Sequence, residues 1–263
     1  MNARQIQNKA FSLLELSIAI TTIALIIAVV AGGKKIAHNS SLTHLIGEIA
    51  KIQNANNGFY TEFAALPGDF TGGEAIWGTY HATTNPKGVE DGNGDGKIAW
   101  NFEEGFSFRK LDRAGYLPQY NSLSYTEGRL YRTTQYGDKI NDRFAFTTGD
   151  LYSGNTSDTP LTSFGGGATR HQNYIFFHKK FVPGTGGSDF GAVLTPKDTY
   201  FIDQKIDDGK PHKGNIYGIK GYNAAQNTTN YNNSVACETS GKYTLTLNYV
   251  ACRLAIKLES GND

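Results

Sequence analysis

The chain has 263 residues, 12% of them aromatic, with 31 glycines and a formal net charge of +1. A charge so near zero excludes any strong overall electrostatic pull toward nucleic acid or a membrane surface. The length fits one globular head on an extended stalk, and the glycine and aromatic content suits a head of sheet and loops.

Residues 1–10 are mostly polar, with Arg4 and Lys9 as their only charged side chains, and Phe11 to Ala31 carries one charge, Glu15, and no proline. About 20 apolar residues cross a bilayer core of ~30 Å as a helix. A carboxylate near the start of such a helix costs a few kcal/mol, which points to a function or a partner for Glu15. The basic residues ahead of the run predict a cytoplasmic N-terminus and export of everything after Ala31. An ordinary signal anchor satisfies the same pattern. A cleaved signal peptide fits less well, because its apolar core is usually shorter.

The stretch Lys9-Ala10-Phe11-Ser12-Leu13-Leu14-Glu15 resembles the processing site of type IV pilins and type II secretion pseudopilins. The resemblance implies a leader, residues 1–10, cut by a prepilin peptidase after Ala10, which stands where glycine is usual. It also implies methylation of the new N-terminal Phe11. Glu15 would then hold the fifth mature position and pair with the Phe11 amino group of a neighbouring subunit. Losing Arg4 and Lys9 would bring the formal charge to about −1.

Beyond the apolar run come Gly32-Gly33-Lys34-Lys35, and then Ile36, Leu42, Leu45, Ile46, Ile49, Ile52, Phe59 and Phe63 recur mostly at steps of three and four. That period predicts one helix over 11–64, with 11–31 in the membrane, since the first proline is Pro67. Such a helix would be roughly 80 Å long. Two glycines in a helix cost about 1 kcal/mol each relative to alanine, so a break at Gly32-Gly33 is the alternative.

The head is expected to occupy 65–263. Leu66-Pro67-Gly68-Asp69-Phe70 is a turn, and Thr71 to Lys97 is irregular, with Trp77 and Tyr80 as anchors. Asn101 and Glu104 have capping-box spacing for a helix that Gly115 and Pro118 close. Strands are expected over Arg129–Thr134, Arg143–Thr148, Tyr174–Val182 and Asn215–Lys220. Thr195-Pro196 opens a further helix, ending near Gly209. Lys242–Tyr249 and Cys252–Leu258 both alternate, as a final hairpin or a bulged strand would. Asn223–Asn233 reads as an exposed loop.

The turn at Leu66–Phe70, Trp77-Gly78, Gly92-Asn93-Gly94-Asp95-Gly96, Leu111–Leu117 and Ile202–Pro211 are similar to a bacterial subgroup of larger type II secretion-like pilin proteins. The fold this implies is α+β and pilin-like: a long N-terminal helix packed on an antiparallel β-sheet head with long loops. The implied function is that of a structural subunit of a pseudopilus-like filament that drives protein secretion. The implied partners are a prepilin peptidase/methyltransferase, other pilin-like subunits and an inner-membrane assembly platform. The implied location is the bacterial inner membrane, crossed once, with the head periplasmic. A type IV pilus subunit serving adhesion, motility or DNA uptake is the alternative. A signal-anchored periplasmic enzyme or binding protein is a second one.

Two groups are candidates for calcium. Asp91, Asn93 and Asp95 alternate ahead of Gly96, as in the first half of an EF-hand loop. Phe102 stands at the twelfth position, where a bidentate glutamate is expected, and Glu103 or Glu104 would serve only with a different loop geometry. A solvated glycine-rich turn is the alternative, and the resemblance adds only that pseudopilin heads often hold calcium in a loop. Asp203, Asp207 and Asp208 form the second group, for which a salt bridge or loop clamp with Lys205 and Lys210 is the favoured reading. Cys237 and Cys252 are the only cysteines. An exported pair points to a disulfide, with free buried thiols as the alternative. The resemblance agrees, since type IV pilins often close a C-terminal disulfide loop.

Nothing in the sequence supports catalysis. The six histidines are scattered, and no zinc, nucleophile-elbow or phosphate-loop motif occurs. His178-Lys179-Lys180 reads as a solvated strand end, so no nucleic-acid partner is expected.

Overall fold

The computed structural model describes residues 12–81, 83–98, 103–117, 123–126, 129–133, 142–149, 172–179, 191–221 and 237–258. Residues 1–11, Asn101, Phe102, Lys180 and the Asn223–Asn233 segment lie outside these. The chain forms two compact units, Met1–Thr43 and His44–Asp263. Its class is α+β.

Helix α1 runs from Leu13 to Phe63 as one element of 51 residues, with Gly32 and Gly33 inside it. The break considered at those glycines is absent. From Leu13 to Val30 its large apolar side chains are exposed, Leu13 at 87% and Val30 at 53%. Ile36, expected to open the core stripe, is exposed as well. Within the second unit, Leu45, Ile49, Ile52 and Phe59 are buried. Their spacing puts them on one helical face. Ala64 ends α1 in the left-handed region, at φ 52°, and donates to the Tyr60 carbonyl at 2.9 Å. The chain then folds back, so that Phe59, Phe63, Phe70, Trp77 and Tyr116 gather as one aromatic cluster with ring centroids 4.4–6.5 Å apart. Such pairs add roughly 0.5–1.5 kcal/mol each beyond area burial. The stretch expected to be irregular contains a short helix, α2 (Gly73–Trp77).

Helix α3 spans Glu103–Arg113. A hairpin, β1 (Leu123–Thr126) and β2 (Arg129–Thr133), leads into β3 (Asp142–Gly149) and β4 (Gln172–Lys179). Helix α4 (Pro196–Ile206) has Thr195 as its cap: the Thr195 side chain accepts from the Asp198 N–H, and Pro196 needs no partner for the N–H it lacks. Strand β5 is Ile216–Lys220, a small ladder joins β6 (Glu238–Thr239) to β7 (Lys242–Tyr243), and β8 is Cys252–Lys257.

Six strands form one antiparallel sheet in the order β1-β2-β3-β4-β8-β5. Strands β4 and β8 lie inside it, and register sorts their side chains: Phe177 faces Leu254, and Ile175 faces Ile256. These are buried together with Phe144, Phe146 and Ile216, and α3 reaches them through Phe108, whose ring lies 4.6 Å from that of Phe146. Tyr174, Phe176, Ile219 and Ala255 are buried as a second cluster. With apolar side chains buried at successive positions, the inner strands read as unbroken apolar runs instead of alternating.

The alternating stretch Lys242–Tyr249 is not a strand beyond Tyr243. It turns at Leu245, whose N–H reaches back to the Tyr243 carbonyl, and Leu245 is exposed. Leucine and tyrosine alternation describes a half-buried strand only where a partner strand exists. Here β7 pairs with β6, while β8 is enclosed by β4 and β5. The reading of His178 as a solvated strand end is also corrected: His178 is buried at 3% exposure, with Nδ1 3.0 Å from the Lys179 carbonyl oxygen.

Candidate functional site

The first candidate is the start of α1. Ser12 and Glu15 form a local cap: the Ser12 N–H donates to Glu15 Oε2 at 2.9 Å, and the Leu14 N–H donates to Ser12 Oγ at 3.3 Å. Two of the helix's unpaired N-terminal donors are thereby satisfied. Ser-x-x-Glu ahead of an apolar run is the sequence signal for such a cap, and the sequence reading passed over it. Further along, Ser17, Thr21 and Thr22 each donate to the carbonyl three residues back. The hydroxyls are therefore satisfied within the helix, and Glu15 is the one charged side chain from Ser12 to Gly33. The helix is long and apolar enough to cross a membrane. Ala10 and Phe11 lie outside the described residues.

The second candidate is a carboxylate centre above α3. Asp69, Asp95 and Glu103 each bring one carboxylate oxygen within 4.8 Å of the others. The turn after Pro67 supplies Asp69, whose two oxygens accept from the Asp95 and Gly96 N–H groups, each at 2.9 Å. Glu103 Oε1 accepts from the Asn93 N–H at 2.9 Å. Gly92 permits the approach: a Cβ there would sit 2.3 Å from the Asp69 carbonyl carbon. Gly96, at φ 80°, completes the turn.

Of Asp91, Asn93 and Asp95, the structure therefore brings in Asp95. Asp91 turns away and accepts from the Glu74 N–H at 2.8 Å, while Asn93 Oδ1 accepts from the Asp95 N–H. Asp69 takes their place, together with Glu103, one of the two glutamates considered for the loop. Alternation within one loop could not reveal Asp69, because it arrives from 26 residues upstream. The three oxygen donors suit a hard cation in chemistry and reach.

A cation of the protein's own lies beside this centre. Lys110 of α3 is fully buried and donates to the Gly68 and Phe70 carbonyls at 3.0 and 2.9 Å. Burial brings its pKa down to about 8, opposed by the charges of Asp91, Glu103, Asp69 and Glu74. It remains ammonium at neutral pH and offsets part of the loop's negative charge.

The third group, Asp203, Asp207 and Asp208, also brings three carboxylates within 4.8 Å. Each one holds a loop. Asp203 Oδ1 accepts from the Gly209 N–H at 3.2 Å, and its Oδ2 accepts from the Tyr243 hydroxyl at 2.6 Å. Asp207 accepts from the N–H groups of Asn215 and Ile216. Asp208 accepts from the Lys210 N–H at 2.8 Å and pairs with its ammonium at 3.5 Å. Lys205 instead stacks on Phe201. Burial raises the Asp203 pKa to about 6, with Asp207 and Asp208 adding to the rise and Tyr243 and Gly209 opposing it. Burial, and then the Asp203 partner, push the Tyr243 phenol well above its ordinary value.

Cys237 and Cys252 form a disulfide with their Cα atoms 5.0 Å apart. It pins the start of the β6–β7 hairpin to the first residue of β8. Tyr243 carries the same hairpin onto α4.

Comparison of the chain with protein-family models, with curated proteins and with solved structures finds no match.

Proposed function

We propose that this chain is a structural subunit of a type II secretion pseudopilus-like filament, anchored in the bacterial inner membrane before assembly. A prepilin peptidase/methyltransferase cuts after Ala10 and methylates Phe11. The subunit then joins other pilin-like subunits at an inner-membrane platform, and the growing filament drives protein secretion. The observation that carries this reading is α1. One uninterrupted helix begins with an exposed apolar segment bearing a single carboxylate and continues into a disulfide-closed α+β unit. An exposed apolar surface of that length must be covered by lipid or by other copies. A lone Glu15 within it is stable when a neighbour supplies an ammonium, and the Phe11 amino group is the nearest such group that processing would create.

Deleting the protein tests the reading: secretion of exoproteins stops. The Cys237–Cys252 loop near the C-terminus supports a second reading, a type IV pilus subunit. That reading predicts lost surface fibres with secretion intact. A deletion that changes neither contradicts both.

A further inference from the structure

From the short segment that follows the apolar run of α1, we infer that Lys34 and Lys35 form a docking collar for the headgroups of anionic phospholipids. The inference rests on the membrane-anchored reading above. Between Glu15 and Glu48 the chain contains no acidic residue, and Lys34 and Lys35 are its only lysines or arginines. Overall charge near zero therefore conceals a local excess of positive charge over residues 16–47. Both lysines are exposed on a helix that is continuous with the exposed apolar segment ending at Val30. Ile36 beside them is 72% exposed. An apolar side chain among ammonium groups matches the boundary between acyl chains and headgroups, where lysine stems lie along apolar surface and their charges reach outward.

Gly32 and Gly33 add a second observation. A Cβ at either position would meet nothing within 4 Å. The fold gives no packing reason for glycine there, and each costs the helix stability relative to alanine. What the pair leaves is bare helix backbone beside the lysines. A phosphodiester headgroup matches the collar in charge, and its acyl chains continue along the apolar segment.

The test uses the full chain reconstituted in vesicles of phosphatidylcholine alone or mixed with phosphatidylglycerol. The readout is how far the protein immobilises spin-labelled phosphatidylglycerol relative to spin-labelled phosphatidylcholine. A preference of about fivefold per lysine is expected, the equivalent of ~1 kcal/mol per basic residue at an anionic surface. It weakens as salt shortens the Debye length to about 3 Å near 1 M. In K34Q/K35Q the preference falls by that factor, to what Arg4 and Lys9 hold at the other end of the segment, while flotation with the vesicles is unchanged. A wild-type chain that inserts without preference overturns the inference and leaves the membrane reading standing, as does a preference that K34Q/K35Q retains in full. A wild-type chain that does not float with vesicles of either kind overturns both.

Discussion

The Ser12 N–H donates to Glu15 Oε2 at 2.9 Å, so the one carboxylate of the apolar segment closes the first turn of its own helix. That bond gives Glu15 a local role beside the intermolecular one proposed for it, and substitution separates the two. Glu15→Gln keeps an oxygen that can accept from Ser12 but lacks the charge. Glu15→Val lacks both. We expect both variants to insert into the membrane as the wild type does, and both to be lost from sheared or cross-linked filaments. A cap alone is worth roughly 0.5–2 kcal/mol. Normal assembly of Glu15→Gln would make the cap the whole role of this residue.

The disulfide closes a loop with a sequence separation of 15. For a loop of that size the chain-entropy model gives about 3 kcal/mol. C237S/C252S should therefore unfold at lower denaturant with little change in slope, as read by circular dichroism. An unchanged midpoint would show that the β6–β7 hairpin is held by Tyr243 and its other contacts alone.

Asp203 makes stability depend on pH in a definite direction. Its pKa is about 6 in the fold against an ordinary 3.8. A raised carboxylate pKa means that the folded state holds the proton more tightly. The contribution is full below pH ~4 and is lost as pH rises through about 6. The span corresponds to at most about 3 kcal/mol at 1.36 kcal/mol per unit. Denaturant titrations of Asp203→Asn, set against the wild type, should remove this component of the pH dependence. A difference between the two curves that stays constant between pH 4 and 7 would contradict the assignment.

The Asp69–Asp95–Glu103 centre predicts a calcium response. Calcium at about a hundred times its dissociation constant stabilises a fold by ~2.7 kcal/mol. The melting temperature should rise with calcium and fall back with chelator. Asp95→Asn should abolish the shift, and Asp203→Asn should leave it intact. No shift in the wild type would leave Lys110 as the only cation this loop needs.

Lys110→Met tests that internal cation directly. The thioether keeps most of the volume but takes the ammonium from the buried Gly68 carbonyl, leaves the Phe70 carbonyl with the Gly92 N–H as donor, and removes the charge facing four carboxylates. A loss of roughly 3–5 kcal/mol is expected, as for breaking a buried ionic contact. A loss below about 1 kcal/mol would show the loop to be insensitive to its charge balance.

The sequence made α1 legible through local features: an unbroken apolar run ahead of Gly32-Gly33, apolar steps of three and four beyond them, and no proline before Pro67. The cap at Thr195-Pro196 was legible for a similar reason, since capping is local. What failed depended on partners distant in the chain. Lys242–Tyr249 alternates like a strand, yet among the described residues no strand pairs with it beyond Tyr243. Asp91, Asn93 and Asp95 have the spacing of a cation loop, but Asp95 meets Glu103, one of the two glutamates considered for it, and Asp69, which the loop's own spacing could not reveal. Tyr243 gave no hint that its hydroxyl would reach Asp203 across 40 residues. Local chemistry reads from local sequence; convergence of distant side chains needs the fold.

Mass spectrometry of the N-terminal peptide from the native membrane protein tests the central claim most directly. The account predicts a chain that begins at Phe11, heavier by one methyl group on its amino nitrogen. A native chain that retains Met1 and residues 1–10 would contradict it.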